Sequence, residues 1–81
     1  MFANNKEFFE NISLLIEKIE AAGEIQWGSE LRDAMNISFM PGEIFGAIRM
    51  TLTKFQNTKI PAQLNIEKEI NEIVESLNEI L

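Results

Sequence analysis

The run Met40-Pro41-Gly42-Glu43-Ile44-Phe45-Gly46-Ala47-Ile48-Arg49-Met50-Thr51-Leu52-Thr53-Lys54-Phe55 leaves few folds open. Proline at the first helical position gives up only an N–H that would have lacked a partner, and its φ is already helical. Glu43 sets a carboxylate in the first turn, where free N–H groups and the helix dipole favour negative charge. Ile44, Ile48, Leu52 and Phe55 then recur every three or four residues, with Phe45 widening the stripe. That period predicts a helix over 41–56 that buries one side. The other side carries Gly46, Arg49, Met50 and Thr53. A glycine inside a helix costs roughly 1 kcal/mol relative to alanine. Gly46 is therefore expected at a close helix–helix contact within the fold, with a partner-binding groove as the alternative.

The flanking segments repeat the same period. Phe8, Ile12, Leu15, Ile16 and Ile19 predict a first helix over 5–22, with Asn4 and Glu7 as a capping box, Ala3 and Phe8 as its apolar staple, and Gly23 closing it in a left-handed conformation. A second helix over 24–36 places Trp27, Leu31, Ala34 and Met35 on one face, with Glu24 in its first turn and Ile25 near the turn. Trp27 is expected as a core anchor, though a tryptophan also suits an interface. Phe39 and Met40, in the short apolar connection Ile37-Ser38-Phe39-Met40, are expected to plug the end of the bundle; a patch covered by a partner is the alternative. Pro61 opens a fourth helix over 62–81, whose Ile66, Ile70, Ile73, Leu77 and Ile80 form a seam spaced like a coiled coil, flanked by Val74 and Leu81. Such a seam packs inside the bundle or along a second copy.

Together these helices predict an all-α, compact four-helix domain spanning 1–81, with Ile12, Ile16, Ile19, Trp27, Leu31, Ile48, Leu52, Ile70, Ile73 and Leu77 in its core. The chain has 81 residues, and a domain of that size buries only about 60% of its unfolded surface. Association with another chain is a common remedy, and a homodimer through the last helix is expected.

Composition excludes most chemistry. Histidine and cysteine are absent, which removes the commonest general base, the commonest metal ligand and the best nucleophile. The glutamate pairs Glu17/Glu20, Glu69/Glu72 and Glu72/Glu75 lie on the polar sides of their stripes, and dinuclear metal bundles need inward-facing carboxylates with histidines. Gly42 and Gly46 make no phosphate loop, since no strand precedes them and no Gly-Lys-Ser/Thr follows. The reading is a non-enzyme without cofactor or metal. No apolar run is long enough to span a bilayer and the first residues do not form a signal peptide, so a cytoplasmic protein is expected. A net charge of −6 disfavours nucleic acid and favours a basic partner. The charge is unevenly spread. Residues 44–61 hold three basic and no acidic side chains, whereas 62–81 hold five glutamates against one lysine, so part of the charge is expected to join these neighbours.

Two groups of residues carry a resemblance. Pro41-Gly42-Glu43-Ile44 with Ala47-Ile48-Arg49 and Leu52, and upstream Ala22-Gly23-Glu24, Trp27, Leu31 and Ala34, resemble the middle of a family of very small helical bacterial proteins. The likeness covers about residues 8 to 56 and departs at Met40-Pro41, where a Ser/Thr cap is usual, and at Met50, where an aromatic is usual. These proteins are similar to the immunity proteins encoded beside polymorphic and contact-dependent growth inhibition toxins. The resemblance implies a protein that binds and neutralises a cognate toxin domain, basic and nuclease-like, without chemistry of its own. A homodimeric structural or regulatory module is the alternative. The candidate partner-binding residues are Glu72, Glu75 and Glu79, which share a helix face away from the Ile70/Ile73/Leu77 seam, and the Gly46/Arg49/Met50/Thr53 face. For the acidic set, a merely solvated face is the competing reading.

Overall fold

A computed structural model describes residues 5–80, and among them all regular structure is helical: α1 (Asn5–Ala21), α2 (Ile25–Met35), α3 (Pro41–Gln56), α4 (Ile60–Gln63) and α5 (Glu67–Ile80). Its radius of gyration, 11.7 Å, is that of a compact chain of this length. The Asn4 cap, the Ala3 half of the staple and Leu81 lie outside the described residues.

α3 holds the position its stripe demands. Met40 precedes it with extended backbone and accepts the N–H groups of Glu43 and Ile44 at 3.1 Å each, and Pro41 occupies the first turn. Ile44, Phe45, Ile48, Leu52 and Phe55 are buried, and α3 packs against α2 on one side and α5 on the other. α1 joins through α2. Phe8, Ile12, Leu15, Ile16, Ile19, Leu31, Ala34, Ile66, Ile70, Ile73, Val74 and Leu77 complete one apolar cluster. No charged or polar side chain among the described residues is buried. Trp27 is only half-buried; it leans on Phe55 with ring centroids 4.8 Å apart, at the edge of the core rather than as its anchor.

The expected fourth helix is broken in two. Pro61 does open a helix, but α4 stops after four residues, at Gln63. Asn65 adopts φ 59°, and the Asn65 N–H donates to the Ala62 carbonyl (3.2 Å) while the Ile66 N–H donates to Pro61 (3.0 Å). This paired closure around a left-handed residue is the same that ends α1, where Gly23 (φ 94°) donates to Glu20 at 2.9 Å and Glu24 donates to Ile19 at 3.1 Å. At the first site glycine supplies the conformation; at the second asparagine does, being the residue type that best tolerates it after glycine. Ile66, Ile70, Ile73, Val74 and Leu77 then turn into the bundle, which consumes the seam expected to join a second copy; Ile80 remains exposed.

Four smaller expectations are also corrected. Gly46 is not at a close contact, because a Cβ added there meets nothing within 4 Å. The glycine that permits close approach is Gly28, buried in α2, where an added Cβ would collide with the Glu20 side chain of α1. Phe39 and Met40 plug nothing: Phe39 is 105% exposed, and Ile37 and Met40 also face solvent. The aromatic packing is made instead by Phe45 on Phe8 (5.0 Å, edge-on) and Phe9 (5.5 Å, stacked). Glu24 sits one position before α2 as its cap, without a side-chain hydrogen bond, and Ile25 is exposed.

The charge expected to join α3 to α5 instead joins other helices. Lys18 Nζ donates to Glu69 Oε1 (2.8 Å) between α1 and α5, and Arg32 donates to both carboxylate oxygens of Glu20 (2.9 and 2.7 Å) between α2 and α1. α3 and α5 are linked by a neutral bond, Gln56 Nε2 to Asn71 Oδ1, 2.8 Å.

Three predictions test this fold. Replacing Ile48 or Leu52 by alanine is expected to destabilise by about 2–5 kcal/mol, whereas Phe39→Ser shifts denaturant unfolding by less than about 0.5 kcal/mol because nothing packs on it. At the break, Asn65→Gly leaves stability within a few tenths of a kcal/mol, while Asn65→Ala costs about 1 kcal/mol for the left-handed backbone. The third prediction concerns pH. The hydrogen bonds from Arg32 hold the Glu20 carboxyl below its ordinary value, against a smaller opposing effect of burial. A depressed native value contributes stability above the ordinary glutamate pKa of about 4.3, and that contribution disappears as pH falls through the native value. Glu20→Gln is therefore less stable than the parent near neutral pH, and the gap in urea midpoints closes as acid protonates Glu20.

Candidate partner-binding surfaces

The candidate acidic residues are brought together. α5 presents Glu72, Glu75 and Glu79 to solvent around a shallow hollow of about 150 Å3, with Ser76 between them. The Ser76 hydroxyl donates to the Glu72 carbonyl (3.0 Å), so it serves its own helix. Among the described residues, no cation lies within ion-pair distance of these three carboxylates; the cross-helix pairs are Lys18–Glu69 and Arg32–Glu20. Three uncompensated charges on one face thus point outward.

The second candidate set also shares a face. Gly46 and Arg49 are partly exposed on α3, Met50 and Thr53 fully so. Thr53 Oγ1 donates to the Arg49 carbonyl at 2.7 Å, which keeps the threonine on its own helix. None of these four residues lines a described hollow. Met50 is the apolar element of this face and Arg49 its charge. No described hollow contains residues of both candidate sets.

Two further surfaces lie outside these candidate sets, one of them the patch given above as the alternative to a plug. The first is the α2–α3 connection, where Ile37 and Phe39 with Met35, Asn36, Ser38 and Ile44 line an open hollow of about 640 Å3. Here the Met40 N–H donates to Ser38 Oγ (3.0 Å), which fixes the turn that turns Phe39 outward. The sequence carried this signal, since the connection is unusually apolar for a loop.

The second is a trough of about 530 Å3 between α1 and α5, lined by Asn11, Leu14, Leu15, Glu17, Lys18, Ala21, Glu69, Glu72 and Ile73. It forms because both helices pack their stripes on the shared core without approaching one another at the backbone. Leu14 is 58% exposed in it, one position off the buried stripe of α1. Glu72 belongs both to this trough and to the acidic hollow, so the two surfaces are continuous.

The described residues contain no group of three or more acidic side chains placed to hold a metal ion, and no described helix is long and apolar enough to cross a membrane. What the surface offers is charge and apolar contact, the means of macromolecular recognition. Comparison with protein families, characterised proteins and solved structures gave no match to this chain.

Proposed function

We propose that this protein is a cytoplasmic immunity protein that binds a basic, nuclease-type toxin domain and neutralises it by covering its working surface. The observation that carries this reading is the set of three outward, uncompensated carboxylates of α5, Glu72, Glu75 and Glu79. A chain with a net charge of −6 and neither histidine nor cysteine acts most readily by association. Clustered carboxylates attract a cationic active-site cleft from a distance, speed its arrival and repel nucleic acid from the same place. The resemblance of residues 8 to 56 to small helical immunity proteins supports the same function. The alternative is a homodimeric module joined through the last helix or the Gly46 face; since the last-helix seam lies in the chain's own core, the Gly46 face is the surface left for it.

This reading requires a toxin domain encoded beside the chain, and the test uses the two together. Glu75→Lys/Glu79→Lys, whose folding is checked by circular dichroism, is expected to lower the association rate about tenfold at low ionic strength, with the loss shrinking as salt is raised. Cells carrying the toxin lose protection in parallel. Unchanged binding and unchanged survival would show that the carboxylates are solvent decoration.

A further inference from the structure

The trough between α1 and α5 differs from the acidic hollow beside it. Its floor is apolar: Leu15 and Ile73 are buried below, and Leu14 stands half out of it. Its rim is acidic. Glu17 and Glu72 make no ion pair with a described residue, while Lys18 is committed to Glu69 across the gap (2.8 Å). Asn11 donates its side-chain amide to the Glu7 carbonyl of its own helix (2.8 Å) and so adds little to the rim.

We propose that this trough docks a basic amphipathic helix of the partner protein, an inference that rests on the reading of the acidic face as a binding surface and names what enters beside it. The walls decide the form of the occupant. Both are α-helices whose backbone groups are bonded internally, so the trough has no sheet edge to pair with an extended segment. Whatever fills it has to satisfy its own backbone, and a helix does. The floor requires leucine-like side chains along one face, and Glu72, with Glu17 held only by the more distant attraction of Arg32, requires lysine or arginine on the flanks. Lys18 is the element of control. Its pairing with Glu69 removes one carboxylate from the rim, and an incoming cation competes with it for that carboxylate.

The trough can be tested without the toxin. The probe is a monomeric helical peptide of about 14 residues, the roughly 21 Å length of the α5 wall, with leucines on one face and lysines beside them. It is titrated into the 15N-labelled full chain. Amide shifts are expected at Leu14, Leu15 and Ile73, with affinity falling as salt is added. Leu14→Ser and Glu17→Gln/Glu72→Gln each weaken binding about tenfold. Lys18→Gln, by freeing Glu69, tightens it several-fold, the reverse of what loss of a merely structural ion pair gives. Leu14, Glu17, Lys18 and Glu72 are all exposed, so the variants retain the fold. Glu75→Lys/Glu79→Lys alters peptide binding less than twofold, so failure of the trough and failure of the toxin-neutralising role are read separately. The proposal is overturned if a peptide with alanine in place of leucine binds equally well, if the shifts centre on Phe39 or Glu79, or if Lys18→Gln weakens binding. It is also overturned if sedimentation shows the trough filled by the α3 face of a second copy, an association that Met50→Glu would abolish.

Discussion

Burial of the α3 stripe is the constraint on which the other helices depend. Ile48, Leu52 and Phe55 are completely withdrawn from water, and α2 and α5 reach the common core through them. Each such side chain contributes on the order of 1.5–3 kcal/mol when buried, a large share of what a chain of this size has to spare. α1 meets α3 through side chains alone, Phe8 and Phe9 on Phe45, while its backbone lies against α2. It reaches the core by folding back on α2, at the point where Gly28 lets the Glu20 side chain lie close and Arg32 hold it.

That economy explains the surface. With every buried side chain apolar, all the charge is outside, and the two cross-helix ion pairs are solvent-exposed contacts that orient helices more than they stabilise them. The core closes without Ile37, Phe39, Met40, Leu14 or Met50, although these are large apolar side chains in a small protein. Such side chains are free for contact with other molecules. Where they lie beside carboxylates outside any ion pair, as Leu14 does near Glu17 and Glu72, the surface combines long-range attraction with short-range apolar contact.

The helical architecture was legible in the sequence because periodicity is a local property. The bounds of α3 fall where Pro41 and the stripe place them, and Gly23 closes α1 as glycine at that position should. The break at Asn65 was not legible: the apolar seam begins only at Ile66, so its spacing says nothing of the residues before it, and only the backbone shows asparagine acting as glycine does at the end of α1. Gly46 and Gly28 exchanged roles for a related reason. A sequence shows that a glycine is present, but not which neighbour approaches it. The grouping of Glu72, Glu75 and Glu79 follows from helical spacing alone and was readable. The trough beside them was not, since it is created by two helices whose backbones stay apart, and no linear pattern records a gap.

The order in which the helices meet has a kinetic consequence. At the backbone α1 packs on α2, α2 on α3, α3 on α4 and α5, and α4 on α5; the contacts that reach further are made by side chains, Phe8 and Phe9 on Phe45 and the Lys18–Glu69 ion pair. Chains whose contacts are this local close small loops and fold on the microsecond-to-millisecond scale. As the ribosome releases the chain, each helix finds its partner among residues just made. No segment waits for a distant strand or for a disulfide. A newly synthesised copy reaches its folded shape almost as soon as synthesis ends.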